Sequence, residues 1–360
     1  MNKAPSEYSS RSGSSRRRQK QKGWRGKFDR YKNAIFEMLY AIQKADTNPP
    51  SAFWVYFGWL VEWIQYFAFC YIDIEWGPHG DAFGNIIVWT QLEQQVATKL
   101  KYEVMQVMVY VCVVLVAILA AMYLYVISSF ISKDFKAGVW PLRLVRTLSS
   151  ILQTFLYVPV LAFLLGGAKC PHDESVECWK GAHLPLASCS IIAICVFLPL
   201  AMLSCLSYFD PNPLSKDLKA QSLPFSEMLE LIGKTILIVL ENVSQEYALP
   251  RALGTFFVFF VLTTTSYITF PFTHRSSSLF RCLSTAQILF FSTFAIIVAV
   301  RPQHNSNVLF YVSLAITPLT LAVSYCIFRW RWNRMISKER VVNALKAARM
   351  KDVEGRGGEE

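Results

Sequence analysis

The sequence predicts an all-α, multi-pass transmembrane helix bundle of about eight spans, with both termini cytoplasmic. Three observations carry that expectation. Of 360 residues, 53% are hydrophobic and 17% charged, whereas a soluble domain carries about a quarter charged residues. The mean hydropathy is +0.32. The apolar residues are gathered into runs of membrane length, and Lys and Arg crowd the ends of those runs. The net charge of +11 therefore reads as cytoplasmic flanking charge, and no nucleic-acid partner is expected.

Residues 1–30 read as a disordered basic cytoplasmic arm without the apolar segment of a secretory signal. Its Arg16-Arg17-Arg18-Gln19-Lys20 cluster suits anionic lipid headgroups. Over residues 31–45, Tyr31, Ile35, Phe36, Leu39 and Ile42 fall near helical spacing, which predicts an interfacial amphipathic helix. Asp46-Thr47-Asn48-Pro49-Pro50 breaks it.

The first span, 52–72, is rich in aromatics and contains Glu62 and Gln65, three apart and so on one face. An acid at membrane depth costs a few kcal/mol unless it is protonated, paired or faces a cavity. Two readings stay open: an ion, proton or ligand site, or a polar lock between helices. The loop 73–103 is acidic and reads as outer, with a turn at Trp76-Gly77-Pro78-His79-Gly80 and a short surface helix over 86–97. His79 has no second histidine at ligand spacing, so no metal site is expected there.

Spans follow at 104–131, at 147–166 and at 186–208. Pro159 and Pro199 are expected to kink the latter two. The fifth, 228–243, holds Glu230 and Lys234 four apart, and Glu241 seven residues further on near the same face. Such a helix either crosses the membrane facing the interior or lies on its surface. Spans at 253–270, 279–300 and 308–328 complete the bundle, and Thr263-Thr264-Thr265-Ser266 offers interhelical hydroxyls in the first of these. Arg329, Trp330, Arg331 and Trp332 then form an aromatic and cationic membrane anchor. Residues 329–360 form a basic cytoplasmic helix and tail. Val341, Val342, Leu345 and Ala348 make a narrow apolar stripe there, which suits either a coupling helix or a solvated tail.

With this arrangement, outer segments hold only Lys99, Lys101, Lys169, Lys180, Arg251 and Arg301, and one span holds Lys234. The rest of the 36 Lys and Arg lie on the inner side, as the positive-inside rule requires. Of the nine cysteines, Cys70, Cys112, Cys189, Cys195, Cys205, Cys282 and Cys326 lie in or beside spans as small apolar fillers. Cys170 and Cys178 share an outer loop, where a disulfide is expected. Zinc held with His172 and His183 is the competing reading, at a spacing that matches no strong zinc pattern.

The loop Cys178-Trp179-Lys180-Gly181-Ala182-His183, a span, and then Phe209-Asp210-Pro211-Asn212-Pro213-Leu214-Ser215 resemble the membrane region of the tiny macrocysts family. Phe57-Gly58-Trp59-Leu60-Val61-Glu62-Trp63-Ile64-Gln65 is similar to that family's first span, and Arg301-Pro302-Gln303 to the opening of its last outer loop. The likeness runs from about Ala34 to Trp332 and rests on the order of the motifs: Cys178, Trp179 and His183, then Asp210, Asn212, Pro213 and Leu214. It implies a multi-pass membrane region ahead of long cytoplasmic regions, which in some relatives hold PAS-type or nucleotide-cyclase domains. It brings no catalytic residues, and by that pattern this chain reads as a short or truncated member.

No phosphate loop, HExxH or GxSxG motif is present, and the five histidines are scattered. No catalysis, cofactor or metal is expected. The favoured function is a membrane sensor or signalling module, most simply in the plasma membrane. The alternatives are a channel or transporter using Glu62, Lys234 and Glu241, and a structural membrane scaffold. The expected partners are the bilayer, anionic inner-leaflet lipids at the basic termini, and a second copy or a cytoplasmic signalling protein.

Overall fold

A computed structural model describes residues 29–42, 51–71, 76, 102–132, 140–170, 178–181, 183–207, 210, 217–221, 225–244, 247–300 and 306–356, with side chains described up to Ile336. The elements are α1 (29–42), α2 (Ala52–Ala68), α3 (Tyr102–Ser132), α4 (Trp140–Ala168), α5 (His183–Leu206), α6 (Phe225–Val243), α7 (Ala248–Thr269), α8 (Arg275–Val300) and α9 (Ser306–Arg356). No strand occurs among the described residues; one bridge joins Gln221 to Phe272. The basic arm, most of the loop 73–101 with His79 and the 86–97 segment, and the Arg301-Pro302-Gln303 motif lie outside the described residues.

Among the described residues, six helices are long and apolar enough to cross a membrane: α3, α4, α5, α7, α8 and residues Asn307–Ile336 of α9. Lipid offers no hydrogen bonds, so only closed secondary structure such as a helix satisfies the backbone there. These helices expose large apolar side chains outward, including Val107, Val111, Leu115 and Ile118 on α3 and Leu319 and Val323 on α9. A water-facing surface rarely carries so continuous an apolar band. The protein is membrane-embedded.

The shorter α2 (17 residues) and α6 (19 residues) are not among the six. They sit inside. The helices α3, α4 and α5 pack on one another, as do α7 with α8 and α8 with α9. Between these groups α6 packs against α4, α5 and α7, while α2 packs against the middle of α4 and against α8. The core runs through Phe197, Phe259, Phe291, Leu161 and Leu164, all buried.

Several boundaries differ from the sequence reading, for physical reasons. The third span starts at Trp140 because Arg143 and Arg146 belong to the helix, and Arg146 is neutralised by Asp217 at 2.6 Å. In α1 the buried face is Ala34, Met38, Leu39 and Ile42, with Tyr31 and Phe36 exposed. Two of the five expected stripe residues thus face outward, because the bundle takes the side that carries Ala34, Met38, Leu39 and Ile42. Trp332 is buried within the protein: it stacks on Phe328 and meets Phe270 edge-on. Trp330 stays exposed beneath the Arg334 guanidinium. The helices α5 and α9 run on through Pro199 and Pro318.

One close crossing is testable. A β-carbon at Gly167 would lie 2.6 Å from Ser190 Oγ and 2.9 Å from Val109 Cγ1. Three helices meet there because the residue is small. Gly167→Ala should therefore cost about 1–3 kcal/mol by overpacking. The thermal midpoint of the detergent-solubilised protein reads this, and an unchanged midpoint would show that the crossing opens freely.

Candidate functional site

A cluster of ionisable groups fills the space between α2, α4, α6 and α8. The α6 sequence places Glu227, Glu230 and Lys234 on one face through spacings of three and four. In α2, Glu62, Gln65 and Tyr66 share a face for the same reason. Arg281 comes from the first turns of α8. Lys234 Nζ donates to Glu62 and to the Gln153 carbonyl, the latter at 3.2 Å. The Arg281 guanidinium pairs with Glu230, with Glu62 at 3.1 Å and with Glu227 at 3.7 Å. Tyr66 donates its hydroxyl to Glu230 at 2.7 Å. The relative exposures of Glu62, Lys234 and Arg281 are 5%, 4% and 6%. An isolated ion at such a site costs several kcal/mol, so the charges hold one another in place.

The α4 backbone is adapted to the cluster. Residues Leu152–Leu156 wind as a π-helix. Pro159 has no N–H, which leaves the Phe155 carbonyl without a helical partner. Gln65 Nε2 fills that place at 3.1 Å. Wide turns of this kind are common where a helix lends carbonyls to a site.

A short loop closes one end. Asp210 N–H donates to the Gln221 carbonyl at 3.0 Å, and Thr273 N–H to the Ala220 carbonyl at 3.0 Å. Lys219 Nζ reaches inward to Ser150 Oγ at 2.7 Å. Burial pushes the Lys219 ammonium below the usual lysine range, against the pull of Glu62, Glu227 and Asp217. Beneath the loop lies a cavity of about 20 Å³ lined by Gln221, Glu227, Lys219, Arg281, Glu62 and Gln153, among others.

At another place in the chain, Cys170 and Cys178 form a disulfide. His183, the first residue of α5 and 1% exposed, fastens that loop. Its Nδ1 accepts from Trp179 N–H at 3.0 Å, so Nε2 carries the proton and donates to the Lys169 carbonyl at 3.0 Å. Trp179 takes φ 59° and Gly181 φ 51°, left-handed turns that bring the loop back to the helix start. Both ring nitrogens are thereby used within the fold. His183→Ala should cost about 1–3 kcal/mol through the two orphaned partners. Faster proteolysis of the loop than in the parent protein would register it; equal rates would count against the fastening role.

The structure brings Glu62, Gln65, Glu230 and Lys234 together. Glu241 is buried on the same face of α6 but lies about 10 Å beyond Lys234, apart from the cluster. Asn212, Pro213 and Leu214 lie outside the described residues. Sequence reasoning missed Arg281, Glu227 and Tyr66. A cation at the start of a span looks like ordinary flanking charge, although Glu227 does continue the Glu230–Lys234 face.

The fold and site define a class: a helical membrane protein with a buried ionic lock. No protein-family model matches the chain, and no solved structure does. The chain is similar to tiny macrocysts protein B of Dictyostelium discoideum, 22% identical over 236 residues, which cover 61% of this chain and 17% of that protein. It is also similar to tiny macrocysts protein C of the same organism, 30% identical over 84 residues covering 21% of this chain and 6% of that protein. The chain therefore matches less than a fifth of the length of either relative.

Proposed function

We propose that the chain is the membrane sensor or signalling region of a tiny-macrocysts-like protein, without catalytic activity of its own. The ionic lock holds the bundle in one state, and α9 carries a change of state out of the membrane. One observation supports this above others. Arg281 closes the lock, and the next residue, Cys282, is sealed into a cluster with Phe270, Phe328 and Trp332. The lock and the exit helix thus share one turn of α8. The helix α9 is 51 residues long, about 75 Å at 1.5 Å per residue, against a bilayer core of about 30 Å. So long a helix projects well beyond the membrane.

In this reading α2 and α6 also cross, giving eight crossings with both termini cytoplasmic in the plasma membrane. The basic termini meet anionic lipids, and α9 meets a cytoplasmic signalling partner. The second reading is ion or proton transport, favoured by buried Glu241 on the same face of α6 as Lys234.

Spin labels at Phe53→Cys and Met335→Cys, both exposed sites, test the coupling in nanodiscs with Cys195 and Cys326 replaced by Ser. Arg281→Gln should shift the label distance by several ångströms while helix content stays unchanged. An identical distance distribution would refute coupling through α8.

A further inference from the structure

We propose that the cavity beside Glu227 is a proton-binding site, made of one bound water and the Glu227 carboxylate, through which the ionic lock takes up a proton from the side closed by residues 217–221. Two independent observations point there. The first is an orphaned acceptor. Gln221 lines the cavity, is 2% exposed, and its Oε1 has no hydrogen-bond partner. A buried acceptor left unpaired costs about 1–3 kcal/mol. The neighbouring Lys219 ammonium is engaged with Ser150 and Thr154. A water fits instead: the cavity of about 20 Å³ exceeds the roughly 10–15 Å³ that one water molecule needs, and the walls offer the two to four polar partners a water takes.

The second observation is the unequal footing of the three acids. Glu62 has both Lys234 and Arg281, and Glu230 has Arg281 and Tyr66. Glu227 has Arg281 at 3.7 Å, beyond charge-assisted hydrogen-bond range, and its side chain is 18% exposed against 6% and 9% for Glu62 and Glu230. The charged and titratable groups around it are Arg281 on α8, Glu62 on α2, Glu230 and Lys234 on α6, Lys219 on the loop and Cys205 on α5. A proton delivered by the cavity water to a Glu227 oxygen turns carboxylate into carboxylic acid, and the water regains its proton from bulk. Arg281 keeps Glu62 and Glu230, and the site gains one positive charge. Glu227 is thus the acid that takes a proton with the least loss of pairing. This inference rests on the sensor reading only in making the proton a stimulus; the binding site stands apart from it.

Infrared difference spectroscopy of the protein in nanodiscs, titrated through neutral pH, tests the site. The expected result is a carboxylic-acid C=O band that grows as pH falls and vanishes in Glu227→Gln. It should persist in Glu103→Gln, an exposed acid on α3. Gln221→Leu removes the water's acceptor and should move the midpoint upward by about one pH unit. Glu227→Asp, a milder variant, should retain a titrating band at a shifted frequency. A band unchanged in Glu227→Gln or in Glu227→Asp, or no titrating carboxyl band at all, overturns the proposal. A Glu227 band that titrates while the Phe53–Met335 label distance stays fixed would sustain the site and sink the coupling.

Discussion

Arg281→Leu is expected to destabilise the bundle by about 3–5 kcal/mol, the largest effect of any single substitution considered. The guanidinium is shared by three carboxylates from two helices, and its loss leaves Glu227 and Glu230 without their cation. Lys234 then remains to serve Glu62. Leucine also removes the cation packed 5.7 Å above the Phe272 ring, beside which the closing loop bridges to α7–α8. Arg281→Lys should rescue only part of the loss. An ammonium is a compact charge that cannot spread over three acceptors as the planar fork does. Thermal unfolding in detergent, read with the monodisperse fraction, measures both variants. A leucine variant as stable as the parent would mean that the acids are already neutral and that Arg281 does not close the lock.

The helical membrane fold was legible because the cost of polar backbone and charge in lipid writes itself into long apolar runs. The same cost made Glu62 and Lys234 visible, since neither tolerates lipid alone. Arg281 was illegible for the converse reason. It stands two positions after the start of the expected 279–300 span, where a cation still reads as flanking charge. Its neighbours come from distant loops: the Phe272 ring lies 5.7 Å from its guanidinium, and Gln221, bridged to Phe272, lines the same cavity. The π-helical turn at Leu152–Leu156 had only a partial signal. Pro159 announces a missing N–H, but not that Gln65 from α2 would supply the donor. Trp332 stands where an aromatic at a span end suggests an anchor; its enclosure by Phe270 and Phe328 is a tertiary fact that no local pattern carries.

The pair Glu62–Lys234 supports the second large prediction. Lys234→Met alone removes the cation from a site where Glu62, the Gln153 carbonyl and the faces of Tyr66 and Tyr157 surround it. Glu62→Gln alone leaves Lys234 with that carbonyl and those rings but no carboxylate bond. Glu62→Gln should cost about 3 kcal/mol because it leaves the Lys234 ammonium without a carboxylate, and Lys234→Met somewhat less because Glu62 keeps Arg281 at 3.1 Å. The double variant Glu62→Gln/Lys234→Met strands neither, and should cost less than the sum by about 2–3 kcal/mol. Simple additivity would show that the two groups are not energetically paired. The double variant also separates the functional readings, because it is expected to fold. Reconstituted into liposomes, parent and double variant should both be silent in proton and ion flux, while the Phe53–Met335 distance differs between them. Flux in the parent that disappears in the double variant would favour transport through Glu62 and Lys234 over signalling. A silent, immobile pair of proteins would leave the lock with a structural task alone.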